Sequence, residues 1–227
     1  MYTSTPSPAP RRPEIMAPAG NTDMFLAAVA AGADSIYCGL KHFSARMEAE
    51  NFSIAELAPL RDLAAAKGIR TYCAFNTLIK PGDLQAAGRL LDRLIRQVRP
   101  QALIFQDLAV PGLARELGFS GELHLSTLAN PGSLSGLAPI ASLQVKRLVL
   151  PRELNLEEVQ LLAAACPPEL DLEVFVHGAL CYAVSGRCYW SSWLGGKSSL
   201  RGRCVQPCRR LYGTPSGTKR FFSCQDL

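Results

Sequence analysis

Seven short apolar runs recur along this chain, each followed by a stretch of helical spacing, and that rhythm limits the folds open to it. The first run is Glu14 to Gly20, and Asn21 then caps a helix from Thr22 to Ala31, because an Asn side chain satisfies a free amide of the first turn. Further strands are expected over Ser35 to Leu40, Ile69 to Phe75, Ala102 to Asp107, Glu122 to Ser126, Val145 to Leu150 and Leu172 to Val176. Helices are expected between them over 54–67, 83–98, 111–117, 133–143 and 156–165, with Gly68 and Gly118 closing two of them. Strand and helix alternating every ~20 to 30 residues demand a parallel α/β fold. Seven units favour a parallel (β/α) TIM-like barrel, incomplete in this chain, over an open doubly wound sheet, and the pattern alone leaves both open.

Either architecture puts function at the carboxyl ends of the strands. Those ends carry Cys38, Asn76 with Thr77, Gln106 with Asp107, Ser126 with Thr127, Arg152 with Glu153, and His177. Singly, Asn76 or Asp107 is more often a helix cap or a turn residue than a catalytic one. Together they form a polar ring in which Asn76 and Asp107 are candidates to bind substrate and Arg152 and Glu153 candidates to act on it. Glu173 and His177 share a parity on the last strand, so alternation predicts that both point toward the site. The competing expectation is that both are buried and satisfied by hydrogen bonds.

After Val176 the rhythm stops, and four of the eight cysteines fall in one window as Cys181-x6-Cys188-x15-Cys204-x3-Cys208. Free cysteine is a common buried hydrophobe. This segment is instead rich in Gly, Ser and Arg and has no core periodicity. Four thiolates can close a tetrahedral zinc site or hold an iron–sulfur cluster. The paired CxxC spacing of a zinc ribbon is absent.

The flanks set the context. Residues 1–12 read as a flexible tail rich in Pro, Ser and Arg, without the apolar core of a signal peptide. No apolar run approaches the ~20 residues of a membrane span. A cytoplasmic location is expected, where eight cysteines argue for metal or redox chemistry over disulfides. The net charge of +5 is mild, but Arg187, Lys197, Arg201, Arg203, Arg209, Arg210, Lys219 and Arg220 all lie after residue 186. Such a face suits a polyanion such as RNA, or it is a solvated charged loop. The chain thus divides into the tail, a barrel body over 13–177, and a cysteine-rich segment over 178–227 that opens a closing element whose remainder is expected from elsewhere.

Several motifs resemble the collagenase-like peptidase family, family U thirty-two of the peptidase classification. They are Ala17-Pro-Ala-Gly20, Ala33-Asp-Ser-Ile-Tyr-Cys-Gly39, Gln106-Asp107, His124-Leu-Ser-Thr127 and Pro151-Arg-Glu-Leu154. Most specific are Glu173-Val-Phe-Val-His-Gly-Ala-Leu-Cys181, Ser185-Gly-Arg-Cys188 and Arg201-Gly-Arg-Cys-Val-Gln-Pro-Cys-Arg209. Within the family the chain is most similar to the subgroup that adds a hydroxyl to C5 of a cytidine in ribosomal RNA, and related members act on transfer RNA. The resemblance implies a [4Fe–4S] cluster on Cys181, Cys188, Cys204 and Cys208, with zinc as the alternative and Cys38 or Cys224 as a substitute ligand. Arg187, Arg201 and Arg209 would then stand beside the ligands, available to substrate phosphate and to tune the cluster. Two departures touch the substrate: Lys197-Ser-Ser-Leu200 replaces a usual Arg-x-x-Asn, and Leu128 a usual Gln.

A peptidase needs a nucleophile with its base, or a metal with an open position. Neither Gly-x-Ser-x-Gly nor His-Glu-x-x-His occurs. A Cys181–His177 pair would leave three cysteines unexplained. A nonenzymatic zinc-stabilised RNA-binding module accounts for the cysteines and the basic loop but not for the polar ring.

Overall fold

A computed structural model of the chain describes residues 12–178, 181–213 and 217, with the backbone of 219–220. Its strands are β1 (Met16–Ala19), β2 (Ser35–Gly39), β3 (Arg70–Phe75), β4 (Ala102–Phe105), β5 (Glu122–Leu125), β6 (Arg147–Val149) and β7 (Asp171–Glu173). They form one sheet in chain order, and every pairing is parallel. The crossovers carry α1 (Thr22–Ala30), α2 (Ile54–Ala66), α3 (Leu84–Arg93), α4 (Ala109–Glu116), α5 (Leu137–Ser142) and α6 (Leu156–Ala165).

Local signals start and stop these elements. Asn21 accepts from the Met24 amide at 3.0 Å. Ser53 with Glu56, and Asn155 with Glu158, form reciprocal capping boxes at α2 and α6. The predicted helix over 83–98 is resolved into a 3-10 turn at Pro81–Asp83, α3, and a π turn at Leu94–Val98 that ends at Arg99 in a left-handed conformation.

Alternate strand residues build two cores. Ile36, Cys38, Cys73, Phe75, Leu103, Phe105, Leu123 and Leu148 face the helices and pack with Phe25, Leu57, Leu91 and Val110. Tyr72, Ala102 and Ile104 face the other way and pack with Met16 and Tyr37. From β3 to β6 nearly every strand residue is buried on both faces, which is why those strands read as nearly unbroken apolar runs.

Curvature separates barrel from open sheet. Arg147 on β6 donates to Glu14, just before β1, at 2.7 Å. Five strand spacings of a flat sheet would put those positions roughly 24 Å apart, beyond what the two side chains span together. The sheet therefore curls around a lumen as a parallel barrel. It stays incomplete: among the described residues β1 and β7 are its two edges.

Two expectations are corrected. The last strand ends at Glu173 instead of Val176, and Val176 is 90% exposed, because β7 has a ladder partner on one side only and its last bond is the Leu150 amide to the Glu173 carbonyl. The segment after it is not simply a loop. It contains α7 (Trp190–Gly195) and an antiparallel pairing of β8 (Tyr212–Gly213) with β9 (Lys219–Arg220).

Candidate functional site

The lumen holds a network of charges that the sequence pattern did not reveal. Arg147 donates to Glu14 at 2.7 Å and to Glu173 at 3.5 Å. Glu14 also pairs with Arg70 at 2.5 Å and accepts from the Tyr72 hydroxyl at 2.9 Å. The Tyr72 ring lies 5.5 Å from the Arg147 guanidinium and meets His124 edge-on at 4.9 Å. Burial disfavours the Glu14 carboxylate, but hydrogen bonds and charge from Arg147, with the Tyr72 hydroxyl, win and hold it at about 2. Glu173 goes the other way: burial outweighs the more distant Arg147 and lifts it to about 6. Burial also lowers His124. It is therefore neutral, with Nε2 donating to Glu122 at 2.9 Å and a buried, unpartnered Nδ1.

The cysteine segment is clamped across the carboxyl mouth of this lumen. Glu153, in the turn after β6, accepts from both the amide and the hydroxyl of Ser185. Thr127, after β5, places its hydroxyl 3.4 Å from that of Ser185. After β3, the Leu78 amide donates to the Leu200 carbonyl at 3.1 Å, and Arg201 donates to Asp83. After β2, the Met47 amide donates to the Gly202 carbonyl at 2.9 Å, and Lys197 pairs with Glu48 at 3.1 Å. Two glycines permit this fit. Gly186 (φ 70°) and Gly202 (φ 78°) are left-handed, and a Cβ on either would collide with the carbonyl oxygen of Leu128 or Ser44.

Within the segment, Ser191 on α7 is fully buried, and its hydroxyl lies 3.6 Å from the Cys204 sulfur while accepting from the Val205 amide at 3.1 Å. Ser199 donates to the Cys188 carbonyl at 2.6 Å. Cys181 is exposed and Cys188, Cys204 and Cys208 are partly buried, all as free thiols. Burial raises Cys208, and the neighbouring Cys181 and Cys204 raise it further. Among the described residues no group of three His, Cys, Asp or Glu is gathered tightly enough for a single metal ion.

The other sequence candidates are distributed unevenly. Cys38 is corrected from mouth residue to core residue: it is fully buried on the helix side of β2, and burial with the nearby Cys73 raises its thiol. Asn76 accepts from the Ala45 amide at 2.9 Å and donates to Ser126 at 3.3 Å. Asp107 accepts from the amides of Ile79 at 2.8 Å and Ala109 at 3.0 Å. Asp107 and Glu153 thus have both carboxylate oxygens engaged in holding loops. Arg152 lies 4.7 Å over the Phe175 ring, with a buried and unpartnered Nε. Glu173 points into the lumen, but His177 is exposed beyond the end of β7, so the strand alternation that linked them stops short. Arg187 is exposed and Arg209 partly buried. Cys224 lies outside the described residues.

The missed residues, Glu14, Arg70, Tyr72, His124 and Arg147, come from four separate strands or strand ends. Their one sequence signal is a polar residue interrupting an otherwise apolar strand, as His124 and Arg147 do.

The chain is 37% identical over 202 residues to "Uncharacterized protease MJ0090" of Methanocaldococcus jannaschii, covering 88% of this chain and 49% of that protein. It is 36% identical to a "Collagenase" of Porphyromonas gingivalis, covering 88% and 50%. It is 35% identical to the "23S rRNA 5-hydroxycytidine C2501 synthase" of Escherichia coli, covering 88% and 30%. The chain thus spans half or less of the length of these curated relatives. The solved structure of the U32 peptidase Mk0906 shares the fold, with a TM-score of 0.63 at 13% identity over 78% of this chain and 74% of that one. Residues 20–227 match Peptidase family U32, and the chain belongs to that family.

Proposed function

We propose that this chain forms the barrel of an RNA hydroxylase that makes 5-hydroxycytidine in 23S ribosomal RNA, using a [4Fe–4S] cluster on Cys181, Cys188, Cys204 and Cys208. The observation that carries the reading is a segment with four free thiols clamped over the barrel mouth by the loops after β2, β3, β5 and β6. It occurs in a chain 35% identical to a protein named as a 23S rRNA hydroxycytidine synthase. The donor set suits the group. Four thiolates are the ligands such a cluster takes, and bound iron favours the deprotonated sulfur. When bound, such a cluster supplies electron transfer at a potential set by nearby charge and hydrogen bonds. Zinc on the same thiols is the alternative.

The protein's own groups supply the rest. Arg187, exposed beside Cys188, offers a contact to RNA phosphate. His177 is the exposed imidazole nearest in sequence to Cys181, and Arg152 has a buried Nε without a partner at the mouth. Asn76 and Asp107 hold the loops that frame the opening and would shape it for one nucleobase. Arg201 and Arg209 are held on the segment itself, where they would tune the cluster.

A second reading, proteolysis, is favoured by the names of two relatives. Anaerobic purification with iron, sulfide and zinc quantified, together with mass analysis of ribosomal and transfer RNA nucleosides after gene deletion, separates the two. Hydroxylation predicts iron and sulfide together, and loss of a hydroxylated nucleoside. Stoichiometric zinc without sulfide would remove the cluster, and gelatin cleavage by cluster-free protein with no nucleoside lost would favour the peptidase.

A further inference from the structure

The short helix α7 has two faces with different tasks. Ser191, on the inner face, is fully buried against Cys204 and Val205. Tyr189 and Trp193 lie on the outer face, one turn apart, with the Trp193 amide donating to the Tyr189 carbonyl at 3.0 Å. Tyr189 is 68% exposed and Trp193 88%. Among the described residues neither side chain has a ring or hydrogen-bond partner. The contrast with Trp190 is informative, because that ring is partly buried and stacked on Tyr212 at 5.9 Å. Trp190 therefore anchors the helix, and Trp193 has no anchoring role. An indole left in water forfeits the burial that normally repays its large apolar surface, so its exposure calls for a ligand.

The charges around α7 indicate which ligand. Arg187 lies two residues before Tyr189, and Arg203 precedes the Cys204–Val205 pair that packs along the helix. Both are exposed, and among the described residues neither is in an ion pair. Lys197, just past the helix, is tied to Glu48 on the barrel rim at 3.1 Å. An apolar protein surface would match the rings but not the flanking cations. A single-stranded polyanion with flat bases matches both, since bases stack on aromatic faces while Arg and Lys follow the phosphates.

We propose that Tyr189 and Trp193 form a stacking platform for an unpaired RNA nucleotide flanking the target, with Arg187 and Arg203 contacting its phosphates. The inference rests on the RNA reading above and adds the surface that recognises single strands. Because the face opposite Trp193 positions Cys204, a base stacked there lies beside the cysteine segment, and the neighbouring nucleotide is delivered to the mouth. An intact duplex hides its base faces, so the platform discriminates against paired RNA.

The test uses the complete, anaerobically prepared protein with a fluorescein-labelled single-stranded RNA 12-mer and a duplex of the same sequence. Trp193→Ala should weaken single-strand binding roughly ten- to a hundredfold, with iron content and melting unchanged, while Trp193→Phe stays within a few-fold of wild type. Indole fluorescence should be quenched by the oligonucleotide in wild type and far less in Trp193→Phe, which retains Trp190. Replacing Arg187 and Arg203 by Ala should reduce the slope of log affinity against log salt by about 2, a readout that survives if the alanine variant at 193 misfolds. If wild type binds RNA and Trp193→Ala binds equally well, the platform is wrong while the hydroxylase reading stands. If Trp193 in the complete protein is shielded from acrylamide, the face is an internal or protein interface and the proposal fails. If wild type binds no RNA and no modified nucleoside depends on the gene, both readings fall together.

Discussion

Arg147 on β6 reaches across the lumen to Glu14 ahead of β1, donating to its carboxylate at 2.7 Å. The pair is largely withdrawn from water, and Arg147 holds Glu173 by its other nitrogen. Removing one partner of a buried pair leaves the other charge uncompensated, which costs about 3–5 kcal/mol. Arg147→Ala should lower stability by that order in urea unfolding. Tyr72→Phe, which deletes a single hydrogen bond to Glu14, should cost only about 1 kcal/mol. Equal effects would mean that the ion pair does not organise the lumen.

The two carboxylates on Arg147 respond to pH with opposite sign. Glu14 is held at about 2, below its ordinary 4.5, so its contribution is complete above 4.5 and drains as pH falls toward 2. Glu173 is raised from 4.5 to about 6, so the folded state binds its proton more tightly than the unfolded chain does. Its contribution is complete below 4.5 and is lost as pH rises through 6. Wild type should therefore lose about 2 kcal/mol relative to Glu173→Gln between pH 4.5 and 7.5. A difference between the two proteins that does not change with pH would contradict the buried, proton-retaining Glu173.

Glu153 should control the seating of the cysteine segment rather than the barrel. Glu153→Ala strands the buried amide and hydroxyl of Ser185, at about 1–3 kcal/mol. The expected outcome is faster proteolysis between residues 181 and 213 and faster alkylation of Cys188 and Cys204. Protection identical to wild type would show that the loops after β2 and β3 suffice.

Gly186 and Gly196 offer a matched comparison. Both have positive φ, but a Cβ meets the Leu128 carbonyl at Gly186 and open space at Gly196. Gly196→Ala should cost about 1–2 kcal/mol from conformation alone. Gly186→Ala should cost more and should loosen the segment in the same proteolysis assay. If both behave alike, close approach to the barrel is not what the glycine serves.

Each Cys→Ala change at Cys181, Cys188, Cys204 or Cys208 should remove iron and sulfide together from the anaerobic protein. Cys38→Ala should instead leave iron and sulfide content unchanged and lower stability, since Cys38 fills the core beside Cys73.

The order of strands and helices was legible in the chain because backbone pairing in parallel βα units follows local rules. The caps at Asn21, Ser53 and Asn155 act within three residues of themselves. The cysteine segment was legible for the same reason, as four thiols in a stretch without core periodicity. The far end of β7 was not, because an edge strand ends where its neighbour ends and not where its own apolar residues do. Nor was the engagement of Asp107 and Glu153, whose carboxylates look free in sequence and are satisfied by amides from other loops. The lumen network belongs wholly to the tertiary structure. Glu14, Arg70 and Arg147 are scattered over 133 positions, and only the curl of the sheet brings their charges within reach of one another, in a space dry enough to make pairing necessary.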